Sequence, residues 1–159
     1  MQANLKLRQT FAPRGLIIST AEQLPPGQSI QARLFQVEVH PGMVTRGADS
    51  PLTQAQTEHA PAYPHALAGY VLWLAEQYEA LTEDLPERLL DYTEAARARG
   101  AHLRMPSNVA SLFIGWEMFL NYAQHSGVLE GDYDDLRERG WAELVQLGDA
   151  QQVTEKEEK

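Results

Sequence analysis

Two hydroxyls, a carboxylate and an arginine near the start of the chain are the residues whose spacing best suits chemistry. Ser19 and Thr20 directly follow an apolar run at residues 16–18, Glu22 comes two residues later, and Arg33 precedes a second strand-like run. At the carboxyl end of a strand, a hydroxyl can orient a water molecule or contact a phosphate. An arginine held by a strand can stabilise phosphoryl-transfer charge on a neighbouring subunit. The spacing therefore points to a nucleotide site, although an ordinary strand end and a surface ion pair explain it more simply.

Strands are needed to position these residues, and the sequence offers two. The run at residues 16–18 lies between Pro13-Arg14-Gly15 and polar residues, which is typical of a buried strand that ends at a site. From Phe35 to Val39, apolar and polar side chains alternate, which predicts a second strand. Two strands do not make a stable sheet. Residues 1–45 therefore either pack on the rest of the chain or belong to a larger sheet whose other strands are missing.

The rest of the chain, from about residue 51, has helical periodicity. Apolar residues from Leu67 to Leu81 recur at helical spacing, and a glycine or an acidic residue marks most of the other helix ends. The predicted helices cover this first stretch, a second from Glu83 to Arg99, a third from Pro106 to Gly127 and a fourth from about Asp132.

The predicted fold class is α+β and predominantly helical, with a short N-terminal β element followed by a bundle of about four helices. The chain has 159 residues, which is the size of one ordinary domain. We expect an extension at residues 1–13, a single domain at 14–150 and a charged tail at 151–159. Within the domain, residues 14–45 form the β element and residues 51–150 form the helical part.

Several common kinds of active site are absent from the sequence. There is no glycine-rich phosphate-binding motif, no strand that ends in Asp-Glu, and no serine in a nucleophile elbow. The five histidines lack metal-ligand spacing, so we expect no metal site. The chain has no cysteine, which excludes disulfides, a thiol nucleophile and sulfur-ligated zinc. The chain is therefore not expected to be an enzyme on its own, and a self-contained hydrolase has little support.

The charge is strongly acidic and unevenly distributed. The net charge is −9, and residues 1–60 hold five basic and four acidic residues, so all of the acidic excess lies in residues 61–159. Such a balance argues against a free-standing DNA-coating protein. No apolar run approaches the length of a membrane span, and the N-terminus lacks the core of a signal peptide. We therefore expect a soluble, cytoplasmic protein that makes no membrane contact.

Residues 14–44, Arg14-Gly-Leu-Ile-Ile-Ser-Thr-Ala-Glu-Gln-Leu-Pro-Pro-Gly-Gln-Ser-Ile-Gln-Ala-Arg-Leu-Phe-Gln-Val-Glu-Val-His-Pro-Gly-Met-Val44, carry a family resemblance. They resemble the late part of the ATPase domain in phage- and plasmid-type primase–helicase replication proteins, which are AAA+ or superfamily 3 related. That family has a strand ending in a small polar sensor residue, a Glu-Leu-Pro-like loop and an arginine entering the next strand. The helical continuation is also similar, so the resemblance covers residues 14–147.

The resemblance implies roles for individual residues. Ser19 and Thr20 fall at the sensor position, which reads the γ-phosphate or its attacking water, and Arg33 falls at the arginine-finger position. Glu22 and Gln28 lie in the loop between them, as candidate nucleotide-binding residues. The helices correspond to a C-terminal lid or helical extension.

Two departures from the family pattern qualify these roles. Ala21 stands where many relatives have glycine, and the Walker A and B segments that precede this region in the family are missing. The resemblance therefore implies no cofactor for this chain alone, and ATP with Mg²⁺ only in a site completed by a partner chain. That partner is an ATPase half or another copy of the chain.

A basic cluster suggests a further contact. Arg97, Arg99 and Arg104, with His102, lie between the second and third predicted helices and could touch a nucleic-acid backbone. Arginines that complement a helix dipole and pair with nearby glutamates are the more ordinary explanation. Aromatic residues on the helices could stack on bases, but core packing is the default for Tyr70 and Trp116.

Two functions from different classes follow. The first is a truncated or split C-terminal module of a mobile-element replication ATPase, which contributes sensor and arginine-finger residues or an interaction surface. The second is a small acidic helical regulator or inhibitor that binds a protein and uses no nucleotide, since acidic clusters can imitate a nucleic-acid backbone in a basic groove.

Overall fold

Helices dominate the structure. The computed structural model describes residues 15–26, 28–31, 33–45, 47–97 and 104–157, and the side chains at 28, 29 and 152–157 are outside that description. The elements in chain order are α1 (Gln28–Gln31), α2 (Pro51–Gln54), a π-helical turn (Ala55–His59), a 3₁₀ turn (Ala60–Ala62), α3 (Tyr63–Glu76), α4 (Tyr78–Arg97), α5 (Met105–His125) and α6 (Tyr133–Glu157). The predicted bundle of four main helices is confirmed by α3 to α6.

The core lies where α5 packs between α4 and α6. The apolar stripe of α5 faces inward, so that Val109, Phe113 and Leu120 are almost fully buried, as its periodicity predicts. Ala96 from α4 and Val145 from α6 complete this side of the core. The recess they leave beside Val109 is no larger than a water molecule, so the core contains no substrate pocket there.

The ends of α5 and α6 follow the predicted signals. Pro106 occupies the first turn of α5, and Gly127, with φ of 72°, follows its end in the left-handed conformation that glycine adopts most readily. At the start of α6, the carbonyl of Asp132 accepts from the Leu136 N–H. Helix α6 extends to Glu157, well into the stretch predicted to be a tail.

The single helix predicted over residues 67–81 is two helices. The chain breaks at Gln77, which has φ of −109° and ψ of 7°, so that α3 ends at Glu76 and α4 begins five residues before the predicted Glu83. The Gln77 side chain donates to the Trp73 carbonyl, 3.2 Å away, and so satisfies one of the free acceptors at this helix end. Apolar spacing continues across the break and therefore conceals it in the sequence.

The N-terminal β element is not confirmed, because no strand occurs among the described residues. The sequence predicts a buried strand at residues 16–18, and this prediction is wrong, because Leu16 is 76% exposed and Ile18 is 87% exposed. A strand needs a neighbour for its N–H and C=O groups. In the described chain, no second strand lies beside either predicted one. Helix α1 forms a single turn inside the loop predicted between them.

No helix in the described part of the chain is long and apolar enough to span a membrane.

Candidate functional site

The predicted sensor residues lie on the surface of the N-terminal segment. Ser19, Thr20 and Glu22 are exposed, and so is Arg33, in the turn that follows α1. Among the described residues, no hydrogen bond or ion pair joins the two hydroxyls to Arg33. The structure therefore leaves all four side chains free to contact another molecule and does not assemble them into a site within this chain.

The turn that carries Arg33 is tied to itself and to the start of the loop. The N–H groups of Arg33 and Leu34 donate to the carbonyls of Ile30 and Gln31, each over 3.0 Å. The Gln31 side chain donates to the Pro25 carbonyl at 3.2 Å. The surface ion pair that would explain Arg33 more simply has no carboxylate partner in the part of the chain that the structure describes.

One residue of α6 holds the chain directly after Arg33. The Gln151 side chain donates to the Leu34 carbonyl at 2.9 Å and accepts from the Gln36 N–H at 3.1 Å. Between these two bonds, Phe35 packs against the core cluster. The segment that begins with Arg33 is therefore anchored to the helical bundle through Phe35 and through Gln151, a residue of the predicted tail.

Of the remaining predicted site residues, the structure describes the side chains of only some. Arg97 is exposed in the last turn of α4, and Arg104 is exposed just before α5. Neither pairs with a described carboxylate, contrary to the glutamate pairing considered from the sequence. Arg99, with His102, and the Gln28 side chain lie outside the described residues.

A buried cluster of charges joins α4, α5 and α6, and sequence reasoning missed it. Glu117 of α5 is 4% exposed. One of its carboxylate oxygens accepts from Arg88 of α4 at 2.8 Å, and the other accepts from the Tyr92 hydroxyl at 2.8 Å and from Arg137 of α6 at 2.5 Å. Arg88 also reaches Asp84 at 3.3 Å, and Arg137 donates to the Tyr92 hydroxyl at 3.0 Å. Three helices thus meet at one carboxylate.

The charges in this cluster stabilise one another. Burial alone would raise the pKa of Glu117, but hydrogen bonds from Arg88, Arg137 and Tyr92 outweigh it and lower the pKa below the ordinary value. The hydrogen bond to Glu117 raises the pKa of the Arg137 guanidinium. Burial, together with the Glu117 hydrogen bond, raises the pKa of Tyr92. The carboxylate is therefore ionised at neutral pH and fully engaged.

This arrangement is suited to holding helices rather than to chemistry. Both oxygens of Glu117 are occupied, and the Arg137 guanidinium lies 5.4 Å from the centre of the Phe113 ring. A general acid or base needs access to a substrate proton, which a carboxylate with three donors does not have. The sequence signal was a glutamate four residues after Phe113 and three before Leu120, on the apolar stripe of α5.

Aromatic side chains fill the contact between α3 and α5. Tyr70 and Trp73 meet Tyr122 with ring centres 5.4 and 5.8 Å apart, and Trp73 lies 6.2 Å from His125. In α5 itself, Trp116 stacks on Phe119 and donates to the Leu136 carbonyl at 3.0 Å. Tyr70 and Trp116, predicted to be core residues, pack against other rings but are only partly buried.

No metal-binding group of three or more acidic or histidine side chains occurs among the described residues. Comparison of the chain with protein-family models, with curated proteins and with solved structures found no match in any of the three.

Proposed function

We propose that this chain is the C-terminal module of a replication ATPase of mobile-element type and acts on a nucleotide held by another chain. In this role Ser19 and Thr20 contact the γ-phosphate or its attacking water, and Arg33 stabilises the charge that develops during phosphoryl transfer. Glu22 and Gln28 line the loop between them. ATP and Mg²⁺ are bound by the partner's own phosphate-binding segments.

One observation carries this proposal. The apolar residues at 16–18 and the valines Val37 and Val39 of the second predicted strand are exposed, and no sheet occurs among the described residues. Exposed apolar area of this kind is favourably buried by a partner, at about 25 cal/mol per Å². The sensor hydroxyls and Arg33 directly flank these runs. If strands of a partner pair with these runs, Ser19, Thr20 and Arg33 come to lie beside the ends of the partner's strands. Nucleotides bind at such strand ends in α/β sheets.

The test is ATP hydrolysis with and without a separate chain that carries Walker A and B segments, taken from the neighbouring reading frame. We expect no hydrolysis by either protein alone and hydrolysis by the mixture. Arg33→Ala should lower kcat by about 10³-fold, the effect of losing an arginine finger. The matched control is Arg139→Ala, which removes an exposed arginine of α6. No stimulation in the mixture, or equal loss in both variants, would rule the proposal out.

A second candidate is an acidic helical module that binds a protein without any nucleotide, and α3 favours it. This helix has no buried side chain, and Tyr63, Leu67 and Val71, at successive four-residue steps, are all exposed. Charged residues are absent from its first 13 positions in a chain of net charge −9. An uncharged apolar stripe on an acidic surface is a typical protein-binding feature.

The second candidate is tested by charge insertion on α3. Leu67→Glu should abolish retention of a partner from host extract, since it places a carboxylate in the stripe. Leu90→Glu is the control, because Leu90 on α4 is 59% exposed against 62% for Leu67. If the two variants retain the same proteins, α3 is not the binding surface.

A further inference from the structure

Residues 34–36 make hydrogen bonds on one edge in the way that a β-strand bonds to a neighbouring strand. In a parallel sheet, a residue that faces residue j of the neighbouring strand makes two bonds to that strand. It donates to the carbonyl of residue j−1 and accepts from the N–H of residue j+1. The Gln151 carboxamide makes this pair of bonds to Leu34 and Gln36, at 2.9 and 3.1 Å, around Phe35. A side chain thus satisfies one edge of the segment.

The opposite edge is open. The chain runs from Leu34 to His40 without a turn or bend, and successive residues of such a chain direct their backbone groups to opposite edges. If the extended conformation that the two Gln151 bonds impose around Phe35 continues to Val39, the N–H and C=O groups of Phe35, Val37 and Val39 point away from Gln151. Within the described chain, these groups have no hydrogen-bond partner. An open edge of this kind is a template for another strand.

The side chains of the segment divide into an apolar and a polar face. Phe35, Val37 and Val39 share one face, and Phe35 already packs on the helical core. Val37 is 63% exposed and Val39 is 68% exposed. A strand added at the open edge would continue this face beside Phe35 and place its own side chains against one flank of both valines.

We propose that the open edge is covered by a second copy of this chain, with residues 35–39 of the two copies paired antiparallel about a two-fold axis at Val37. In this register the two Val37 residues face each other and Phe35 faces Val39 of the second copy. The residues that pair are those with open backbone groups, and each apolar side chain meets an apolar one. The segment is therefore complementary to itself.

Charge favours the same edge. Each copy has a net charge of −9, all of it from residues 61–159, so the helical faces of two copies repel each other. Within residues 15–45, the described residues with charged side chains are Glu22, Arg33 and Glu38, besides His40. The register places Glu38 directly opposite Gln36 of the second copy, so that the two Glu38 residues are diagonal neighbours rather than a facing pair. Added salt should strengthen the dimer, because it screens the remaining repulsion.

The dimer requires neither a nucleotide nor another protein, so it does not depend on the proposed ATPase role. A partner that completed the sheet would compete for the same edge. If the hydrolysis test fails, the dimer proposal is not affected. If the chain is monomeric, the ATPase proposal is not affected.

Sedimentation equilibrium at increasing concentration tests the dimer. We expect the mass to rise from 17.8 kDa toward twice that value. Val37→Pro removes an N–H on the open edge and should leave the chain monomeric. Glu38→Pro is the matched control, because its N–H lies on the other edge, and it should dimerise like the natural sequence. A natural chain that stays monomeric, or equal weakening by both prolines, would overturn the proposal. Circular dichroism checks that both variants retain their helices.

A cysteine at the axis tests the register. The chain has no cysteine, so Val37→Cys introduces a single thiol per copy. Facing residues of a hydrogen-bonded antiparallel pair have Cα atoms about 5.5 Å apart, within disulfide range. Mild oxidation should therefore cross-link Val37→Cys, while the exposed control Gln23→Cys should cross-link much less. A dimer that cross-links equally at both positions would contradict the register.

Discussion

Glu117 shows how one residue can link three helices. It is buried on the inner face of α5, and its carboxylate is the shared acceptor for Arg88 of α4 and Arg137 of α6. Removal of one partner from a buried ion pair is costly, because the remaining charges lose their compensation. The carboxylate is therefore a stability element whose effect can be measured directly.

Replacing Glu117 by glutamine should lower the free energy of unfolding by about 3 kcal/mol, because two partly buried arginines lose their anion. Urea denaturation followed by circular dichroism measures this change. Arg139→Gln is the control, since its 3.4 Å pair with Asp135 is exposed, and it should cost less than about 0.5 kcal/mol. Equal costs for the two variants would show that the cluster adds nothing beyond a surface pair.

The same carboxylate makes stability depend on pH. The pKa of Glu117 in the folded protein lies below its ordinary value of 4.5, so the folded state binds this proton less readily than the unfolded state does. Its contribution is fully present above that value and is lost as pH falls through the folded pKa. As pH falls below about 5, urea midpoints should therefore decrease more steeply for the natural chain than for Glu117→Gln. Parallel curves would contradict the lowered pKa.

At the scale of elements, the contact between α5 and α6 depends on a glycine. A Cβ at Gly140 of α6 would overlap the indole of Trp116, which is fixed by its bond to the Leu136 carbonyl. Gly140→Ala should therefore destabilise the fold by about 1–3 kcal/mol, despite the better helix propensity of alanine. Gly115→Ala is the control, because nothing lies near its Cβ, and it should raise stability by up to about 1 kcal/mol. Thermal unfolding of the two variants should shift in opposite directions.

The elements also show what the sequence could predict. The apolar stripe from Val109 to Leu120 forms one face of α5 whatever surrounds it, so its period identified the helix correctly. The alternation from Phe35 to Val39 has strand periodicity, but a strand also requires a neighbour that no local pattern supplies. Glu117 was missed for the same reason, because its partners lie 29 and 20 residues away in sequence. Patterns predict local structure, whereas sheets and ion clusters depend on distant parts of the chain.

The molecule as a whole consists of a packed core and less protected surroundings. Contacts between helices are concentrated in α4, α5 and α6, while α3 touches α5 through few residues and buries no side chain. Residues 15–26 are almost entirely exposed. Local opening requires little free energy where few apolar contacts are lost. Stability should therefore vary strongly along the chain.

Amide hydrogen exchange measures this variation. We expect the slowest exchange in the centres of α4, α5 and α6, faster exchange in α3 and the fastest in residues 15–26. At high protein concentration, protection should appear at Val37 and Val39, because their N–H groups enter the strand pair between two copies. The control is the natural chain at low concentration, where these amides should exchange as fast as those of residues 16–18. Slow exchange at residues 16–18 in the monomer would instead mean that this run is already paired, and the surface on which the proposed ATPase role depends would not be available to a partner.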